Sequence, residues 1–580
     1  MGLSSIKRLF LSFFSLLLIP SPALAAAALR LSNTVIGPVS IAQGAAGPAQ
    51  DLEAFNAGDG QLSLTFASSA PWAVPSAQAE RDCTTRGGKC IPVRVSLNTQ
   101  QLTAGIHTAR VRVLDSAAVD APQEILVTVQ IGGGVPDRLT FFVAPNGSSD
   151  EATITTNAPI TTTSSTQAGG NWLSVALEGL GSFRFVLPYK VTARHLPGMN
   201  EGTFTGSIDT RSTAFAPDTK SVQISLRVTS QPILTSNTNS LHFRVAQNSI
   251  PVTQFLVLSN RGLGTLSITS ATGATTSGGE WLTVERVAGT DLMSVRASAA
   301  SVAPGAYQGT VTVATNAVNS PFTVPVTLVV VAQSGPVVSF ERVVNNSTFA
   351  SGETLSQGGI SAIFGEQLSY REPAVASSLP LPTELGGARV FVNDQPAPVF
   401  FSSYGQINFQ IPYSTPPGRA LVRVDRDGQR GNAVSVNINP SVPRILRLRG
   451  DFAIAVNSDG TFPLPARFGI LNVRPARRGE AIVIYAIGLG PTNPSAVTGA
   501  ASPAAEPLAR VASNSSRVLF GAGPFGAGIA ADALFNGLTP GFVGLYQINV
   551  VIPDNAPQGE VPIQLLLDTA SSDIVFITVE

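Results

Sequence analysis

Gln406-Ile407-Asn408-Phe409-Gln410-Ile411-Pro412 recurs in altered form as Gln547-Ile548-Asn549-Val550-Val551-Ile552-Pro553. In each copy a second proline lies four residues past the first (Pro416, Pro557) and a glycine six past it (Gly418, Gly559). Ile407, Phe409 and Ile411 alternate with polar residues, as Ile548, Val550 and Ile552 alternate with their neighbours; this period of two marks a strand with one buried face. The closing proline cannot donate to a ladder, so the strand stops there. Copies 141 residues apart predict a duplicated β-domain. The polar face Gln406, Asn408, Gln410 reads as an exposed sheet face or as a contact with another domain or partner.

A second repeat lies upstream. The chain's three tryptophans, Trp72, Trp172 and Trp281, stand 100 and 109 residues apart. Trp172-Leu-Ser-Val175 and Trp281-Leu-Thr-Val284 are near copies, and Trp72-Ala-Val74 is a looser one. Turns at Gly105, Gly198 and Gly305 follow, and each leads into an alternating strand. The Trp-to-glycine spacing is 33, 26 and 24 residues, and the excess in the first copy falls at Cys83 to Cys90. Asn56-Ala-Gly-Asp-Gly-Gln-Leu-Ser63 echoes Asn260-Arg-Gly-Leu-Gly-Thr-Leu-Ser267, an Asn-x-Gly turn before a strand. Short strands, frequent turns and repeats near 100 residues predict an all-β chain of about five tandem immunoglobulin-like β-sandwich domains. The expected divisions are 28–132, 133–230, 231–333, 334–440 and 441–580, the last with an insertion, strung together as a rod.

The 580 residues carry 36 basic and 36 acidic side chains, only 12% of the chain. Without a cationic stripe, a nucleic-acid partner is not expected. Lys7 and Arg8, the apolar run Leu9 to Ile19 and Ala23-Leu-Ala25 read as a signal peptide over 1–25. The run is too short to anchor in a bilayer, and no membrane span is expected in the mature chain. The expected location is secreted, periplasmic or cell-surface. The only cysteines, Cys83 and Cys90, then read as a disulfide across a turn. A redox pair or half a metal site would want C-x-x-C spacing or a nearby histidine.

Trp281-Leu-Thr-Val284 with Pro304-Gly-Ala-Tyr-Gln-Gly309 resembles the BACON-like family of bacterial immunoglobulin-like domains; the first repeat departs furthest from it. That resemblance implies carbohydrate-binding or spacer modules. Val343-Val-Asn-Asn-Ser-Thr-Phe-Ala350, Ile363-Phe-Gly-Glu-Gln-Leu368, Tyr485-Ala-Ile-Gly-Leu-Gly-Pro491 and Thr539-Pro-Gly-Phe-Val-Gly-Leu-Tyr-Gln547 resemble an uncharacterised C-terminal domain family of exported acidobacterial proteins. The duplicated half is also similar to TIG-type (IPT) immunoglobulin-like domains, one copy starting at Ile363 and the other at Ile484.

Motifs for chemistry are sparse. Gly521-Ala-Gly523-Pro-Phe-Gly526 lacks the strand–helix setting of a dinucleotide site. Asp425-Arg-Asp427-Gly428 and Asn457-Ser-Asp459-Gly460 read as turns rather than calcium loops. His107, His195 and His242 lie in separate repeats, and no catalytic residue, metal or cofactor is assigned. The contested residues are Trp172 and Trp281. Each is either a core residue or an indole platform for a sugar ring; Leu and Val share a strand face, which would put Trp on the other. In the first repeat Trp72 would share its face with Val74. The expected function is non-enzymatic binding or adhesion, with an extracellular glycan or a surface protein as partner. The alternatives are a structural spacer or protein-docking scaffold and, more remotely, a polysaccharide hydrolase using a dispersed carboxylate pair.

Overall fold

The computed structural model describes residues 26–178, 187–448, 450–468, 472–513, 515–523, 526–568 and 570–580. The leader expected over 1–25 lies outside them. The described chain is β throughout, apart from two 3-10 turns at Ala216–Asp218 and Ala466–Phe468. Five hydrophobic cores form in chain order, and each draws its members from one stretch: Ala27 to Ile131, Val135 to Val228, Leu234 to Val330, Val338 to Ile438 and Ile445 to Val579. They define five sandwiches.

Each of the first four sandwiches packs two sheets over its core. In each, an early strand runs parallel to the last one: Val35–Ile41 beside Gln123–Ile131, Arg138–Val143 beside Ser221–Val228, Leu241–Ala246 beside Phe322–Val331, and Leu355–Ser356 beside Gln429–Asn439. All the other strand pairs within these sandwiches are antiparallel, the arrangement of an immunoglobulin-like sandwich. The fifth forms one continuous sheet. Its strand Gly526–Leu538 pairs with Ser516–Gly523 in its first half and Tyr546–Val551 in its second, with a register shift between Ala533 and Phe535.

The duplicated motif takes the same pairing twice. Ile407 stands opposite Ile363, and Ile548 opposite Ile484. Ile407, Phe409, Ile411, Ile548, Val550 and Ile552 are all fully buried, as alternation requires. One turn assignment shifts. The strands after the tryptophans start at Gly105, Gly202 and Gly305, so the glycine matching the other two is Gly202, not Gly198.

The rod expectation is corrected, because the first sandwich folds back onto the third and fourth. Asp120, fully buried, accepts from the Ser435 backbone N–H at 2.5 Å and its hydroxyl at 2.8 Å, and pairs with Arg30 at 2.6 Å. The Asp120 N–H donates to the Ala433 carbonyl, and the Asn432 amide to that of Ala121. Glu366 of the fourth sandwich meets Arg244 of the third at 2.8 Å and Arg112 of the first at 3.5 Å. Buried charges of this kind persist only when paired, so the return path is specified by sequence-distant partners.

Candidate binding surfaces

Trp172 and Trp281 are the candidate ligand residues. Trp172 and Trp281 are each 1% exposed, and Trp72 8%. Each precedes its strand rather than lying within it: Ala73–Ala77, Leu173–Leu177 and Leu282–Arg286. Parity holds only inside a strand, so Trp and the following Leu both point inward. The indole N–H of Trp172 donates to the Ala168 carbonyl at 2.9 Å, and that of Trp281 to Ser277 at 3.0 Å. The platform reading of Trp172 and Trp281 is therefore corrected: no ring face is left for a sugar. Sequence reading also missed Gly169-Gly170 and Gly278-Gly279, the paired left-handed residues that turn the chain into each Trp. A Cβ at Gly169 would lie 2.8 Å from Phe204, and one at Gly278 2.5 Å from Tyr307. The Gly-Gly doublet starting three residues before Trp172 and Trp281 was the available signal.

Cys83 and Cys90 are joined. Their loop is held by Glu53, whose carboxylate accepts from the Thr84 N–H and hydroxyl, both at 2.9 Å, from Thr85 at 3.2 Å, and pairs with Arg81 at 2.8 Å. Burial pushes the Glu53 carboxyl up, but these donors and the Arg81 charge together bring it below its ordinary value. Glu53 and the two sulfurs are near neighbours, but bridged sulfurs are not thiolate ligands.

Gln410 is 1% exposed and lies between the fourth and fifth sandwiches. It donates to the Gly358 carbonyl at 3.1 Å and accepts from the Gly499 N–H at 2.7 Å. The exposed-face reading is wrong here, and the domain-contact alternative holds. Asp427 and Gly428, at φ +47° and +80°, turn between the strands Gly418–Arg426 and Gln429–Asn439. Asp459 accepts from Thr461 and Arg474, inside a turn. Gly521, Gly523 and Gly526 belong to two paired strands; Pro524 and Phe525 between them lie outside the described residues.

The histidines do not converge. His107 bonds the Thr103 carbonyl, and His195 ties Gly147 to Met199. His242 lines a cleft of about 130 Å³ where the first, third and fourth sandwiches meet, with Arg110, Glu124, Arg244 and Glu366. Burial, and then the Arg110 charge, hold its pKa below the ordinary imidazole value. Glu124 and Glu366 are the cleft's two carboxylates. Arg112 stands 3.5 Å from both, and Arg244 holds Glu366 as well.

Two further surfaces are open. Leu379, Val497 and Phe542 are 55%, 70% and 55% exposed around the joint of the fourth and fifth sandwiches. There the Leu381 N–H bonds the Gly499 carbonyl at 2.8 Å and the Ser502 N–H that of Phe542 at 2.9 Å. A groove of about 540 Å³ between the first and fourth sandwiches is lined by Val119, Phe391, Asp394, Arg419, Arg423 and Arg430, among others.

The chain is thus a tandem immunoglobulin-like β-sandwich protein. No protein-family model and no curated protein sequence matches it. Among solved structures it is similar to the immunoglobulin domains 1–5 of Sidekick-1 at 11% identity, over 96% of this chain and 98% of that one, TM-score 0.17. It is similar to the human Desmocollin-1 ectodomain at 11% identity, over 94% and 98%, TM-score 0.15. An endo-fucoidan hydrolase of glycoside hydrolase family 107 matches at 14% identity and TM-score 0.18 over 53% of this chain, which spans 45% of that structure. Overlaps this loose carry no functional argument. No helix among the described residues is long and apolar enough to cross a membrane.

Proposed function

We propose that this is an exported, non-enzymatic scaffold that docks other proteins, built from three BACON-like and two TIG-like sandwiches. The observation that carries it is the contrast between two sets of large apolar side chains. The indoles that would have stacked on sugars are interior, while Leu379, Val497 and Phe542 stand exposed at a hydrogen-bonded joint. Large apolar side chains on a rigid frame favour protein docking. The non-enzymatic part is supported by the commitment of Glu124 and Glu366, the cleft's two carboxylates, to arginine partners.

The test is a photo-crosslinking residue placed at 542 or 497, and at the equally exposed Ile106 (69%) as control, in the producing cell. Discrete adducts at 542 and 497, absent at 106 and lost on Leu379→Asp, are expected. Equal labelling at all three sites, or none at 542 and 497, sinks the docking reading. A carbohydrate partner is the second reading. It has lost the tryptophans as its basis, and the arginine-lined groove supplies another.

A further inference from the structure

We propose that the groove between the first and fourth sandwiches binds an acidic polysaccharide, with its carboxylate or sulfate groups held by Arg419 and Arg430. The site begins as a period-two pattern. Along Gly418–Arg426, Ala420, Val422 and Val424 are fully buried, so Arg419, Leu421, Arg423 and Asp425 share the outer face. Phe391 stands opposite Arg423 on one neighbouring strand, and Ala433 opposite it on the other. Val119 and Ala26 of the first sandwich wall this face into a groove.

Its lining holds three guanidinium groups against one carboxylate, Asp394. Arg423 is committed. It pairs with Asp394 at 2.6 Å and Asp425 at 2.8 Å, and lies over the Phe391 ring at 4.7 Å. The other two are not. The Arg430 side chain is 72% exposed and 4.0 Å from Asp394, whose short contact is with Arg423. The Arg419 side chain is 46% exposed and 3.9 Å from Asp120, which already binds Arg30 and Ser435. Among the described residues neither the Arg419 nor the Arg430 guanidinium donates a hydrogen bond, which leaves two planar forks for oxyanions.

The floor selects the polymer. Leu421, 37% exposed, and half-buried Phe391, one ring face of which Arg423 covers, offer apolar surface to the C–H faces of a sugar ring. Over residues 422–426 the strand carrying Arg419 is paired on both sides, to Ala388–Val392 and to Gln429–Asn439, which carries Arg430, so this stretch opens no backbone edge to a peptide strand. This site is independent of the docking surface around Phe542, and either can fail alone.

The test uses the full chain in affinity electrophoresis and calorimetry against polygalacturonate, heparin, neutral dextran and poly-L-glutamate, with sodium sulfate as competitor. Binding to polygalacturonate or heparin but not dextran, weakening as salt rises, is expected. Arg430→Ser, at a side chain 72% exposed, should weaken it several-fold, and Arg419→Ser/Arg430→Ser about ten-fold or more, with melting unchanged. Arg517→Ser, remote in the fifth sandwich, should bind as wild type. Failure of both acidic polysaccharides, or undiminished binding by the double variant, overturns the assignment. Capture of poly-L-glutamate alone overturns the polysaccharide and gives the groove to an acidic protein.

Discussion

The indole of Trp281 lies against Gly309, where a Cβ would stand 3.0 Å from Cη2 and 2.8 Å from the Ala274 carbonyl oxygen. Trp172 and Gly206 repeat the arrangement, with 3.4 Å to the ring and 2.6 Å to the Ser165 carbonyl. The first sandwich has Ala109 at this place, and its Trp72 is the least buried of the three. Gly309→Ala and Gly206→Ala should each destabilise their sandwich by about 1–3 kcal/mol, the usual cost of overpacking. Denaturant unfolding followed by tryptophan fluorescence checks this; unchanged midpoints would show that the ring yields freely.

Truncation of the same indoles tests core against platform. Trp172→Ala or Trp281→Ala should cost about 3–5 kcal/mol through the cavity left behind. A variant that stays fully stable yet loses a ligand would reverse the burial argument.

Glu366 joins three sandwiches, and its side chain is 17% exposed. Glu366→Ala leaves Arg112 and Arg244 without their shared partner, and Asp120→Ala does the same to Arg30. Loss of one member of a buried pair costs about 3–5 kcal/mol where it is fully desolvated. The first sandwich should swing away, and the radius of gyration in solution scattering should rise, most in the double variant. Scattering identical to wild type would mean that apolar contact alone holds the return path.

Acid should loosen the disulfide loop. The Glu53 carboxyl has a lowered folded pKa, so its stabilisation is present above the unfolded value of about 4.3 and is lost as pH falls through the folded one. Glu53→Gln should flatten the acid limb of the melting curve for this sandwich. Cys83→Ser/Cys90→Ser should cost about 2–3 kcal/mol at every pH. An acid limb that persists in Glu53→Gln assigns it elsewhere.

Glu480 is the second acid-sensitive point. Arg474 holds it through paired bonds at 2.6 and 2.9 Å, and its pKa falls to about 2, with Ser458 and the Arg477 N–H helping against burial. Its contribution is complete above the ordinary carboxylate range and disappears as pH drops toward about 2. Arg474→Met should move that loss to higher pH. Titration of the Glu480 carboxyl by NMR measures it directly, and an unmoved value refutes the pairing.

The strands, the duplication and the tandem immunoglobulin-like β class were determined by the sequence alone. Alternation is a property of the extended backbone, and a repeat displays it more than once. The outward set Arg419, Leu421 and Arg423 was legible in the same way, between buried Ala420, Val422 and Val424. Tertiary structure alone decided the rest. Trp172 and Trp281 sit just before their strands, where parity has no force, and the turn at Gly169-Gly170 or Gly278-Gly279 swings each ring inward. Gln410 follows the polar face of its strand, yet the fifth sandwich covers it. Asp120 finds Ser435 across 315 residues of chain. Such contacts depend on how two finished surfaces meet, and no local periodicity records that.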